Sequence, residues 1–277
     1  MFSVPGFGAG AGVGPIFLPL ISRERKKMLS ACVICLNEER NITRCLSSLG
    51  WVDELVVVDS GSRDRTVEIA RSYTDLVYHR DWTGYADQKN FAMSRARGDW
   101  ILSLDADEEV SEELKQEIGI VLASEPRECG FKIPRRSFYQ GRWINHSGFY
   151  PDRQLRLFRR ECARWVGRRV HERVEVDGSL GKLKSDLLHY PYKGVISGQL
   201  KTVDAFSTLL AEDLRDRGAG FHLWLLIVRP AFKFLEVYVL KKGFLDGVPG
   251  LIIAVTSAYA LFVRYVKLRE MEKGIGD

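Results

Sequence analysis

Between Leu29 and Ala123 the chain changes period repeatedly: short β-branched runs are each followed by a segment with helical spacing. Ser30–Leu36, Glu54–Asp59, Asp75–His79 and Trp100–Leu104 read as strands. Glu39–Leu49, Asp64–Ser72, Gly84–Arg97 and Ser111–Ala123 read as the helices between and after them, the last with Ser111 as its cap. Such alternation predicts a parallel sheet covered by helices on both faces. In these sheets ligands bind beyond the carboxyl ends of the strands. The polar residues that follow the strands are Asn37-Glu38, Asp59-Ser60-Gly61-Ser62 and Asp105-Ala106-Asp107. They converge on one acidic rim, which is costly unless a cation or hydrogen-bond donors compensate it.

Beyond this region the pattern changes twice. Phe131 to Tyr190 reads as short strands and Arg-rich turns, and helical spacing returns at Val195. Phe221–Leu240 is apolar except for His222, Arg229, Lys233 and Glu236, and a Gly/Pro break spans Gly243 to Gly250. Gly247 through Val263 carries no charge. These seventeen residues fall short of the roughly 20 that a spanning helix needs, so helices lying in a membrane interface are expected. A buried hairpin or a homodimer contact is the other reading. Residues 1–27 read as a disordered leader, with Met28 as an alternative start, because basic residues follow its apolar run instead of preceding it. Three parts are therefore expected: a leader at 1–27, an α/β domain at 28–193 and a helical membrane-association region at 194–277.

The net charge of +5 is unevenly spread, with twelve Arg or Lys and only three acids between Arg127 and Arg169. A solvated surface, a phosphorylated partner or an anionic membrane suits that stretch. Nucleic acid does not, because no recognition motif accompanies it. The five cysteines follow no metal spacing. Cys32 and Cys35 would point to opposite faces of a strand, so core thiols are expected.

The rim suits a nucleotide diphosphate held through a hard cation, because carboxylates that bind Mg²⁺ or Mn²⁺ leave positions open for phosphate oxygens. As a bare motif Asp105-Ala106-Asp107 is weak, but the run Ile-Leu-Ser-Leu before it would aim it at the rim. Asp59 ends a buried strand and needs donors, while Ser62 and Asp64 read as caps of the next helix. Lys89 lies near a helix start, where its ammonium and backbone N–H groups suit a diphosphate.

The order of these segments resembles family 2 glycosyltransferases with the GT-A fold. The carriers are Ser30-Ala-Cys-Val-Ile-Cys-Leu-Asn-Glu-Glu39, Val58-Asp-Ser-Gly-Ser-Arg-Asp-Arg-Thr66, Asp87-Gln-Lys-Asn-Phe-Ala92 and Leu104-Asp-Ala-Asp-Glu108. The Val170-His-Glu172 segment is similar to that of the lipopolysaccharide core β-glucosyltransferase branch. The resemblance implies a mostly parallel Rossmann-like sheet followed by amphipathic or apolar helices. It implies that Leu36 and Glu38 flank the nucleotide base, Asp59 binds it and Asp105 holds the ribose, with Asn37, Ser60 and Ala106 also in the nucleotide-sugar site. Asp107 would bind Mg²⁺ or Mn²⁺, with His171 as a second ligand or a phosphate contact, and Lys89 would sit near the diphosphate. Glu172 is the expected general base, with Glu108 and Asp152 as rivals, because an inverting transfer needs a base and no acid. Processive relatives carry Gln-x-x-Arg-Trp; here Gln154-Leu-Arg-Leu-Phe158 stands instead, which implies transfer of one sugar. The expected donor is a UDP-sugar and the acceptor a glycolipid or lipopolysaccharide core, met by an enzyme on the cytoplasmic face of the inner membrane. Two rivals stay open. A sugar nucleotidyltransferase would show a Gly-rich basic loop after the first strand, where Leu36-Asn-Glu-Glu39 is acidic; a non-catalytic scaffold would not need the acids.

Overall fold

The computed structural model describes Met1 and residues 27–167, 172–191 and 195–275, so the expectations for the leader and for His171 lie outside the described residues. The parallel core follows the sequence pattern closely. Strand β1 (Leu29–Cys35) pairs in parallel with β2 (Glu54–Asp59) on one side and β4 (Trp100–Asp105) on the other, and β3 (Val77–His79) extends it beyond β2. Side chains alternate across a strand, and this splits the core in two. Leu29, Ala31, Val33 and Cys35 face the cluster that also holds Trp100, Leu102 and Leu104. Cys32 and Ile34 face the opposite cluster with Val56 and Val58.

Helices α1 (Ile42–Ser47) and α4 (Glu112–Ala123) close the first face through Ile42, Leu46, Leu114 and Ile118. Helix α3 (Tyr85–Arg95) closes the second through Ala92 and Met93, and α2 (Thr66–Arg71) flanks the sheet. Ser111 caps α4 as expected, its hydroxyl accepting from the Leu114 N–H at 3.1 Å. Trp100 is fully buried at the centre, and truncating it to Ala would cost about 3–5 kcal/mol. The Cys32, Cys35 and Cys45 thiols are buried and unbridged, as core thiols should be.

After β4 a tight turn leads into β5 (Glu108–Val110). The Arg-rich region then forms β6 (Gly130–Tyr139), β7 (Arg142–Trp143), β8 (Asp152–Arg159), β9 (Ala163–Val166), β10 (Arg173–Val176), β11 (Leu180–Lys182) and β12 (Leu187–His189). The main sheet runs β3-β2-β1-β4-β8-β6-β12-β5, and β9 and β10 form a separate two-stranded ribbon. Because β8 is antiparallel to β4, its chain direction returns toward the start of the parallel strands.

The described tail is mostly helical: α5 (Ile196–Asp216), then after a turn α6 (Leu225–Leu235) running into a π turn (Glu236–Leu240), then α7 (Gly247–Lys273). Two buried polar groups fasten it to the α/β domain. Gln199 of α5 accepts from the Tyr139 hydroxyl and donates to Thr256 of α7 at 2.9 Å. The fully buried Asp246 carboxylate accepts from the Asn145 and His146 N–H groups and the Ser147 hydroxyl at 3.0–3.1 Å. At the break between helices, a Cβ on Gly250 would lie 1.9 Å from the Gly243 carbonyl oxygen, so only glycine admits this approach. Helix α7 does not stop where the uncharged run ends. The stretch Gly243–Lys273 has a window of mean hydropathy 1.6, of which 28% is buried, and is long and apolar enough to cross a membrane by length and composition. The uncharged run of seventeen residues is thus only part of a longer helix.

Candidate active site

The rim predicted from the strand ends forms, and its acids differ in how they are compensated. The loop after β1 is locked to the loop after β2. Asn37 takes a positive φ of 55°; its N–H donates to the Ser62 hydroxyl at 2.8 Å and its side-chain oxygen accepts from the Arg63 N–H at 2.8 Å. The Glu38 N–H donates to the Thr66 hydroxyl at 2.7 Å, and Asp64 accepts from the Thr66 N–H at 3.0 Å at the start of α2. Arg65 occupies the N-cap of α2 without a side-chain cap bond; Asp64, just before it, instead fixes Thr66, and Ser62 reaches back to the loop after β1. Leu36 is exposed at the strand end.

Asp59 is buried, but it is not an open acceptor awaiting a ligand, as its position at a strand end suggested. Its carboxylate already accepts from the Gly61 N–H at 2.9 Å and the Ser62 N–H at 3.0 Å, a short-range turn that shapes the loop holding Ser60.

Asp105 sits at the centre of a charge network. Lys89 reaches Oδ1 at 2.9 Å and Arg156 reaches Oδ2 at 2.5 Å. Burial alone would raise the pKa of Asp105, but Arg156 and Lys89 outweigh it and hold the carboxyl well below the usual range. The same Arg156 reaches Glu108 at 2.7 Å, and Glu108 also accepts from Arg135 at 3.2 Å and from the Asp105 N–H at 3.0 Å. Glu108 is 1% exposed and fully engaged, so it does not serve as a base. Asp152, the other rival, is tied to Arg135 at 2.6 Å.

Lys89 points into the protein rather than to solvent. It is 3% exposed, it lies 4.4 Å from the centre of the Trp165 ring, and its ammonium is 3.9 Å from Glu172. Trp165 is held in turn by Asn90, which accepts from its N–H at 3.0 Å and donates to its carbonyl at 2.8 Å. The ribbon of β9 and β10 is thereby pinned to α3, and Glu172, just before β10, is brought to the rim. Tyr85 stands among Glu172, Asp105 and Asp107; burial first, and then these three acids, raise its pKa.

Asp107 has a partly exposed carboxylate, and Ala106 beneath it is buried. The neighbour of Asp107 is His189, whose Nε2 lies 3.4 Å from Oδ2 while Nδ1 lies 2.9 Å from the Ser137 hydroxyl. A ring held on one side by a hydroxyl and facing a carboxylate on the other has the arrangement of an oriented metal ligand. Among the described residues no group of three or more His, Cys, Asp and Glu surrounds a common point. Asp107 and His189 still fit Mg²⁺ or Mn²⁺, which take few protein ligands and complete their shell with phosphates and water.

Sequence reasoning missed Arg156, Trp165 and His189. Arg156 carried a signal, since an arginine flanked by Leu155, Leu157 and Phe158 in a strand needs a buried partner. The other two are contributed by strands distant in sequence and had none. The Arg-rich stretch is largely spent inside the protein. Arg135 and Arg156 neutralise the rim, Arg153 donates to the Leu183 carbonyl, Arg159 to the Pro126 carbonyl and Arg142 to the Asp246 carbonyl.

A parallel sheet with order 3-2-1-4, an acidic rim at its carboxyl ends and a lysine and arginine closing on the first Asp of Asp-x-Asp define a nucleotide-sugar transferase of the GT-A type. The chain belongs to glycosyl transferase family 2, whose pattern it matches over residues 30–175. It is 32% identical to the lipopolysaccharide core biosynthesis glycosyltransferase LpsC of Rhizobium meliloti, over 88% of this chain and 92% of that one. An uncharacterized glycosyltransferase of Rickettsia typhi is 32% identical over 88% of both chains. Among solved structures, residues 1–349 of S. aureus TarS in complex with UDP give a TM-score of 0.46 at 17% identity, covering 89% of this chain and 92% of that one.

Proposed function

We propose that the chain is an inverting, non-processive hexosyltransferase. It moves one sugar from a UDP-sugar to a glycolipid or lipopolysaccharide-core acceptor at the cytoplasmic face of the inner membrane. One observation carries the reading most: Asp105, Asp107, Lys89, Tyr85 and Glu172, drawn from separate segments, meet at the carboxyl ends of the parallel strands. The similarity to LpsC, named for lipopolysaccharide core biosynthesis, supports the acceptor class.

In this reading Asn37, Glu38, Asp59 and Ser60 shape the nucleotide pocket, and Asp105, ionised and held by two cations, accepts from the ribose. Asp107 and His189 would hold Mg²⁺ or Mn²⁺. When bound, that cation offsets the charge of the departing diphosphate. Glu172 takes the proton of the acceptor hydroxyl as its oxygen bonds to the anomeric carbon. The bond from that carbon to the diphosphate breaks on the opposite face, and no acid is needed because the diphosphate leaves as an anion. Lys89, 3.9 Å from Glu172, holds that carboxylate at the rim.

Membrane association rests on the tail. Trp224 at the N-cap of α6 and Ile227, Val228, Phe232 and Leu235 within it are all exposed, an unusual run of large apolar side chains. An apolar face flanked by Lys241 and Lys242 suits the anionic interface.

The test is a panel of nucleotide-sugars incubated with the purified chain and Mn²⁺, with and without total membrane lipid, read by mass spectrometry. One nucleotide-sugar should be hydrolysed slowly alone and consumed faster as a lipid gains one hexose, and EDTA should stop both. Pyrophosphate release from a nucleoside triphosphate would replace this reading with a nucleotidyltransferase. Absence of nucleotide binding would replace it with a scaffold.

A further inference from the structure

The donor rim opens sideways into a cleft of about 940 Å³ whose far wall belongs to α5 and α7. Its charge is polarised. Glu38, Glu39 and Asp107 supply the acids on the rim side. Arg40, Lys201 and Arg264 line the remainder, each from a different element. Neither Arg40 nor Lys201 lies within ion-pairing distance of a carboxylate among the described residues. Arg264 is the most telling. Its Nε is buried without a hydrogen-bond partner, and Asp213 of α5 reaches it only as a background field. A guanidinium N–H left dry and unpaired is costly; Arg156 shares this feature at the rim, and what sets Arg264 apart is its place in the wall of an open cleft. Val203, Phe206 and Leu210 complete the wall beside these cations.

We propose that this cleft is the acceptor site. Lys201 and Arg264, faced by Arg40, bind an anionic group, a phosphate, carried on the acceptor, while the apolar wall takes its hydrocarbon part. This rests on the transferase reading and deepens it. The tail then has a second duty besides holding the enzyme at a surface: it supplies the acceptor's anchor and sets which acceptors fit. The arginines of the 127–169 stretch do not serve here, because the structure commits most of them to internal partners.

The experiment uses the full chain and three probes in calorimetric titrations: dodecyl phosphate, dodecyl maltoside as a neutral amphiphile, and inorganic phosphate. UDP with Mn²⁺ is titrated in parallel as the donor control. The proposal expects dodecyl phosphate to bind the unaltered chain, and to bind a Lys201→Gln/Arg264→Gln double variant at least ten-fold more weakly. Dodecyl maltoside and UDP should bind both proteins equally. Arg264→Lys, which keeps the charge, should recover most of the lost affinity and guards against a folding defect. Equal binding of dodecyl phosphate to both proteins, with UDP binding intact, would overturn the acceptor site and leave the transferase reading standing. Failure of UDP to bind either protein would sink the transferase reading itself. Inorganic phosphate binding as tightly as dodecyl phosphate would overturn the apolar half of the site and reassign the cations to a free anion.

Discussion

The strand-end rim and the helical tail handle charge in opposite ways. At the rim, Asp105, Glu108 and Asp152 are met by Lys89, Arg135 and Arg156, so a dense group of acids is closed electrostatically from within. In the tail, Arg264 has a buried and unpartnered Nε, and α6 turns a run of large apolar side chains outward. The rim's acids are largely compensated before anything binds, although Arg156 Nε and Trp165 Nε1 beside them are also buried without a partner and Asp107 stays open. The tail is finished only by something brought to it. Donor chemistry and acceptor recognition thus fall on two parts of the chain built to different standards.

Breaking the closure of the rim should have the largest effect. Arg156→Met leaves the buried Glu108 and the partly exposed Asp105 with less compensation, and removing one partner of a buried network costs up to about 3–5 kcal/mol. Urea unfolding at pH 7 should register that loss. The pH dependence gives a sharper reading. In the native protein the Asp105 carboxyl is held below its unfolded value, so its stabilisation is present above about pH 4 and is lost as pH falls toward the folded pKa. In Arg156→Met the folded pKa moves back up, so the fall in stability between pH 5 and pH 2 should flatten. An unchanged slope would mean that Lys89 alone holds Asp105.

Asp107→Asn tests the open position of the same rim. It keeps the shape and removes the charge, so transfer should fall about 10²–10³-fold, roughly 3–4 kcal/mol of transition-state stabilisation. Stability should hardly move, because the Asp107 carboxylate is partly exposed and its ion-pairing neighbour is His189, itself mostly buried. His189→Gln should reproduce part of the loss and raise the Mn²⁺ concentration needed for half-maximal rate. A Mn²⁺ requirement unchanged in both variants would remove the metal from Asp107.

The parallel half of this fold is legible because each strand is short, β-branched and followed by its polar residues in local order. Glu54–Asp59 can be read to the residue, and Ser111 as a cap, since both depend on neighbours in sequence. Arg156, Trp165 and His189 depend on strands that return to the rim from far along the chain, and no local pattern encodes that return. Asp246 is the clearest case. Nothing around Gly243–Gly250 announces that its carboxylate will satisfy donors from Asn145, His146 and Ser147. That makes it the joint between the two regions. Asp246→Ala should cost about 2–3 kcal/mol by leaving those donors unmet. If the tail folds as a mere appendage, thermal unfolding followed at the rim tryptophans would not shift in that variant.

The smallest effect probes the tail's incompleteness directly, and its sign is what matters. Arg264 keeps a dry Nε and lies in a cleft wall, whereas a methionine of similar length would fill the same space without an unmet donor. Arg264→Met should therefore stabilise the ligand-free chain, by about 1 kcal/mol, which differential scanning calorimetry resolves as a rise of a few degrees or less. With saturating dodecyl phosphate the order should invert, because ligand binding stabilises only the protein that binds it. A variant less stable than the parent without ligand would show that the protein itself compensates Arg264. The contrast between a closed rim and an open tail would then fail at the residue where it is drawn most strongly.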